Sequence, residues 1–140
     1  MNTNPTPTNQ FRRIISTSTN DAVRLIDDAR LYLSGLHDSG LASGVDFNTF
    51  QLVIDEVISN AIVHGNQNNP EKKIALKIIP LPNNLIITVK DEGPGFSPNH
   101  LQDPRGNQNL CKPGGRGLFI LRNLAQVSWN DLGNCITVRL

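Results

Sequence analysis

The sequence predicts an α+β two-layer sandwich, with helices packed on one face of a mixed, mainly antiparallel sheet. Three observations lead there. Two long stretches of helical period come early in the chain. Two short runs of period-two pattern follow, joined by Leu81-Pro82-Asn83-Asn84, as in a hairpin. The chain then closes on a third helical pattern and a second hairpin pattern. Helices grouped apart from hairpins, without regular βαβ alternation, indicate helices segregated to one side of a sheet. At 140 residues the chain suits a single domain with a real core.

Met1 to Gln10 is Asn, Thr and Pro with little to bury, and reads as a disordered leader ahead of a domain spanning residues 11–140. Phe11 to Ser16 reads as a short edge strand. Ser18 or Thr19 can cap a helix over Asn20 to Leu36, with Asp21 favourable in its first turn. Ala22, Leu25, Ile26, Ala29, Leu33 and Leu36 supply its apolar face. A second helix is expected over Asp46 to His64, stopped by Gly65 in a C-terminal cap position. Ile74, Leu76 and Ile78 then alternate with Ala75 and Lys77, and Leu85, Ile87 and Val89 with Ile86, Thr88 and Lys90. From Phe96 to Gly114 the chain is polar and aperiodic, and a loop of that length in a compact domain is usually functional. A third helix is expected over Arg116 to Gln126, before a hairpin turning at Leu132-Gly133-Asn134.

Composition removes several function classes. Hydrophobic residues make up 38% of the chain and charged ones 18%, which is ordinary for a soluble domain. A net charge of +1 argues against a nucleic-acid surface. No apolar run reaches the length of a membrane span and no signal peptide is evident. Cys111 and Cys135 lack metal-ligand spacing, and as reduced thiols they suit a cytoplasmic protein.

The chemistry concentrates in three places. Within the apolar helix QLVIDEVISNAIVHGN, Glu56, Asn60 and His64 recur at i, i+4, i+8. At about 100° per residue, Glu56 and Asn60 lie about 40° apart on one stripe, while Asp55 points away. A carboxylate and a carboxamide at a core margin are costly unless something pairs with them. Asp91-Glu92-Gly93-Pro94-Gly95 directly follows the strand run ending at Val89. Gly114-Gly115-Arg116-Gly117-Leu118 opens the third helix. Alone, each glycine segment reads as a turn or a helix start.

In this order, the three segments resemble the N, G1 and G2 boxes of the Bergerat-fold ATPases, the superfamily of gyrase B, Hsp90, histidine kinases and MutL. The wording NAIVHGN, DEGPGF and GGRGL is similar to that of the anti-sigma factor serine kinases, and the resemblance spans about Phe11 to Leu140. It implies ATP and Mg²⁺ as cofactors. Asp91 would accept from the exocyclic amine of adenine, with Gly93 and Gly95 letting backbone approach the base and adopt positive φ. Gly115, Arg116, Gly117 and Leu118 would hold phosphate at the positive end of a helix. No Gly-Lys-Ser/Thr follows these glycines, so this is not a Walker A loop. Asn60 would offer its oxygen to Mg²⁺, which needs few protein ligands. Glu56 would be the general base. His64 would have a capping or packing role. Arg105 and Lys112, the cations of a lid over Phe96 to Pro113, would reach the γ-phosphate or a partner.

The resemblance further implies a cytoplasmic protein serine/threonine kinase that also binds a sigma factor. Its substrate would be an anti-sigma factor antagonist of the STAS type, and a homodimer would form through the sheet side, with no nucleic acid and no membrane. Two alternatives stay open: a detached histidine-kinase catalytic domain, and an ATP-dependent binding module without catalysis.

Overall fold

The computed structural model describes residues 10–95 and 115–140. Its elements run β1 (Phe11–Ser16), α1 (Thr19–Asp38), α2 (Phe47–Asn60), a π-helical turn (Ala61–Gly65), β2 (Lys73–Pro80), β3 (Leu85–Lys90), α3 (Gly115–Leu124), β4 (Gln126–Trp129) and β5 (Cys135–Arg139). The leader expected over Met1 to Gln10 lies outside the described residues except for Gln10, whose Oε1 accepts from Arg12 Nη2 at 3.0 Å. The expected lid also lies outside them.

Five strands form one sheet in the order β1-β2-β3-β5-β4. Every described pair is antiparallel, so the expected parallel component is absent from the described sheet. The reason is where β5 inserts. β3 and β4 run in the same direction and are linked through α3, but β5 slots between them and turns a parallel neighbour into two antiparallel ones. This is a split crossover.

Alternation along the strands puts Ile74, Leu76 and Ile78 of β2 and Leu85, Ile87 and Val89 of β3 against the helices, all buried. Ile136 and Val138 of β5 join them in register with Val89 and Ile87. From above come Ala22, Leu25, Ala29, Leu33 and Leu36 of α1, and Phe50, Val53, Ile54, Val57 and Ile58 of α2. Fully burying one Leu, Ile or Phe of this set contributes about 1.5–3 kcal/mol. Tyr32 of α1 seats the edge strand, with its ring 5.2 Å from that of Phe11, and burial pushes its hydroxyl up to about 12. No described helix is long and apolar enough to cross a membrane.

The helix starts are the expected ones. Ser18 accepts from Asp21 N at 3.1 Å, and Asp46 accepts from Thr49 N at 3.0 Å. Two ends differ. α3 stops at Leu124 rather than Gln126, because β4 recruits Gln126 into register with Arg139. α2 leaves α-helical geometry at Ala61 and widens into a π-turn, in which Asn66 N bonds Ala61 O at 2.8 Å. Gly65 is therefore not the left-handed cap. Positive φ falls instead on Gln67 (52°) and Asn68 (58°), and Gly65 is small for a different reason.

Candidate functional site

α2 ends where both glycine segments meet it. Glu56 and Asn60 are half-buried, and the Asn60 amide donates through Nδ2 to Glu56 Oε1 at 3.1 Å. A carboxylate has no proton to give at neutral pH, so the amide must use its nitrogen here. That leaves its oxygen as the acceptor a hard cation takes. Asp55 is exposed on the other side, holding Gln51 Nε2 at 2.7 Å.

The first glycine segment reaches this helix end through Gly65. Asp91 follows β3 with its carboxylate beside Gly65 Cα, so close that a methyl group on Gly65 would overlap it. Asp91 Oδ1 accepts from Gly93 N at 2.8 Å, which orients the carboxylate. Burial raises the Asp91 pKa above the ordinary carboxylate value, opposed by the Gly93 amide and then by the charge of Lys72. Gly93 and Gly95 serve fit within the protein. A side chain on Gly93 would strike Gly65 O, and one on Gly95 would strike Leu132 O. Positive φ was expected at both glycines; of the two, only Gly95 has it, at 79°.

The second segment arrives through α3. Gly115 is its first residue, and Gly117 lies in the first turn directly against the Glu56 carboxylate, where any Cβ would overlap Oε1. The positive end of α3 thus faces the carboxylate and the space beside it. α3 includes Arg116 and Leu118 in its backbone; their side chains lie outside what is described, as do Arg105 and Lys112. His64 is exposed in the π-turn, which excludes a packing role, and the turn closes through Asn66 instead. No cluster of three metal-ligating side chains occurs among the described residues.

Gly117→Ala should therefore displace Glu56 rather than unfold the domain, because the obstacle is the end of a flexible side chain. The far-ultraviolet circular dichroism should be unchanged. In amide spectra the Asn60 side-chain resonances should shift as the bond to Oε1 breaks. Unshifted Asn60 resonances would mean that α3 had moved instead.

The residue that sequence reasoning missed is Asn66. It is fully buried, and its Nδ2 donates to Thr17 Oγ1 at 2.9 Å and Lys73 O at 3.0 Å. Its Oδ1 accepts from Glu92 N at 2.8 Å. One side chain thereby joins the β1–α1 corner, the start of β2 and the loop carrying Asp91. Glu92 adds a second tie, its Oε1 accepting from Lys73 N. Nothing in the uniformly polar run Asn66-Gln67-Asn68-Asn69 separates the buried Asn from its neighbours. Asn66→Ala leaves partly buried backbone groups unpaired and should cost about 2–4 kcal/mol. Urea unfolding monitored at Trp129 measures it, and an unmoved midpoint would refute the role.

Comparison with known proteins supplies relatives. The family model described as a histidine kinase-like ATPase domain matches residues 18–140. A serine-protein kinase RsbW of Staphylococcus epidermidis is 29% identical over 102 residues, which is 68% of this chain and 64% of the relative. An anti-sigma F factor of Oceanobacillus iheyensis is 27% identical over 82 residues, or 56% of this chain and 55% of that protein. One from Bacillus cytotoxicus is 29% identical over a stretch of the same length. The chain thus spans between about half and two thirds of the length of these relatives.

Proposed function

Because this chain belongs to the histidine kinase-like ATPase domain family, we propose that it is an ATP-dependent protein serine/threonine kinase and anti-sigma factor. The substrate would be a STAS-type anti-sigma factor antagonist, in a cytoplasmic partner-switching system. The observation that carries the reading is the placement of Glu56, held by Asn60 and lying against the first turn of α3. A module that only bound nucleotide would gain nothing from a carboxylate beside a phosphate site.

The residues present fit the nucleotide. Asp91 offers a desolvated, oriented carboxylate with Oδ1 engaged by Gly93, leaving Oδ2 for an amine donor. The unpaired N–H groups at the start of α3 suit phosphate oxygens. Asn60 Oδ1 suits Mg²⁺. ATP supplies the γ-phosphoryl group. Glu56 takes the proton from the attacking serine hydroxyl, Asn60 holds Glu56 in place, and the α3 terminus favours the negative charge nearby. The names of the relatives, a serine-protein kinase and anti-sigma F factors, support the choice over a detached histidine kinase. A homodimer remains the oligomeric state that the family resemblance suggests.

The test is transfer from γ-labelled ATP to a purified STAS-domain antagonist, followed by acid and base treatment of the product. Acid-stable, base-labile phosphoserine is expected. Acid-labile phosphohistidine would move the assignment to histidine kinases, and no transfer at all would leave a binding module.

A further inference from the structure

The turn between β4 and β5 reaches beyond its own hairpin. β5 pairs with β3 as far as Lys90 opposite Cys135, so the residues just before Cys135 stand beside the segment that follows Lys90. Two backbone carbonyls of the turn meet that segment. Asn134 O accepts from Asp91 N at 2.9 Å. Leu132 O lies so close to Gly95 that a methyl group there would overlap it. Both ends of Asp91-Glu92-Gly93-Pro94-Gly95 therefore rest on one turn. Gly133, between the two carbonyls, is buried and has a positive φ of 75°. Asn130 sets the shape of this turn. Its Oδ1 accepts from Asn134 N at 3.0 Å and from Cys135 N at 3.1 Å, and its Nδ2 donates to Asn134 Oδ1 at 2.6 Å. The backbone closes the turn as well, Asn130 N donating to Cys135 O and Gly133 N to Asn130 O, each at 3.0 Å. The side-chain bonds thus fix the form of the turn rather than its existence. Asn130 is exposed, so removing its amide leaves no buried polar group unpaired at that side chain.

We propose that Asn130 is a positioning residue for the nucleotide base: it fixes the turn whose Asn134 and Leu132 carbonyls hold the segment carrying Asp91. The inference rests on the reading of Asp91 as the adenine acceptor. A site of that kind works only when its polar group is held to within about 0.5 Å of the productive position. Gly93 N orients the Asp91 carboxylate from inside the segment, at 2.8 Å, and can do so only while the segment keeps its shape. One hold on that shape is Asn66, whose Oδ1 accepts from Glu92 N. The turn supplies another, at Asp91 and Gly95. Without the Asn130 amide, Asp91 stays chemically intact but loses its fixed seat. Affinity should then fall for ligands that carry adenine and for no others. General support of the hairpin would act differently, on every ligand alike or on stability alone.

Titration calorimetry with ATP and with inorganic triphosphate, on the full chain, tests this in Asn130→Ala and Asn130→Asp. Asn130→Ala should bind ATP roughly tenfold more weakly than the wild type and triphosphate equally well. Asn130→Asp should recover most of the loss. A carboxylate still accepts from both amides, and Asn134 can turn its NH₂ toward the second oxygen. The wild type supplies a measurement that needs no variant. If the turn favours ATP, ATP must favour the turn to the same degree. Hydrogen exchange at the Asp91, Asn134 and Cys135 amides should therefore slow with ATP and not with triphosphate. An undiminished ATP affinity in Asn130→Ala, an equal loss for triphosphate, no recovery in Asn130→Asp, or exchange indifferent to ATP would each overturn the role of Asn130. A wild type that binds ATP no better than triphosphate would instead remove Asp91 from the base, and the role of Asn130 with it.

Discussion

Glu56→Gln should lower phosphoryl transfer to the antagonist by about 10²–10⁴-fold, the usual contribution of a positioned general base, with ATP binding retained. The substitution is close to isosteric, and Gln still offers Oε1 to the Asn60 amide, so the 3.1 Å bond that positions the side chain survives. What goes is the ability to take a proton. Gly117 remains against the side chain, so α3 should not move. Asp55→Asn is the matched control. Its carboxylate is exposed, holds only Gln51 among the described residues, and faces away from Asn60. Single-turnover transfer from labelled ATP measures both. A Glu56→Gln rate within a few-fold of wild type would remove Glu56 from the chemistry.

Asp91→Asn should weaken ATP binding by about 10–100-fold, the loss of one hydrogen bond to a charged group. Asn can keep Oδ1 on the Gly93 amide, but its NH₂ then faces the adenine amine, donor against donor. GTP should bind the wild type poorly for the mirror reason, since guanine puts an oxygen where the carboxylate needs a donor. The raised pKa of Asp91 fixes the sign of two further effects. Burial makes the ionised form less favourable in the folded protein, so ionisation subtracts stability as pH rises through the raised value. Asn stays neutral, so the variant without nucleotide should be no less stable than wild type at neutral pH. ATP affinity in the wild type should fall as pH drops through that raised value, sooner than an ordinary carboxylate would dictate. The Asn variant should lack this acid limb. Titration calorimetry across pH reads both, and parallel pH profiles would detach Asp91 from the base.

Much of this was legible in the residues. Alternation at Ile74 to Ile78 and Leu85 to Val89 assigned the hairpin and its inner face, and Ser18 marked the start of α1. Glu56 and Asn60 stood out because they were polar at a core margin, and the structure joins them by a hydrogen bond. Other features depend on partners distant in sequence. The π-turn follows from Gly65 closing on Asp91 and Asn66 bonding Thr17, Lys73 and Glu92, and no local pattern encodes those meetings. The insertion of β5 between β3 and β4 is likewise set by pairing rather than by period.

The central claim is that nucleotide spans from Asp91 to the junction of α2 and α3. A crystal structure with Mg²⁺ and a non-hydrolysable ATP analogue addresses it most directly. The account predicts the adenine amine within hydrogen-bonding distance of Asp91 Oδ2, the metal on Asn60 Oδ1, and the terminal phosphate between Glu56 and the first turn of α3. Adenine bound away from Asp91, or phosphates away from the start of α3, would contradict it.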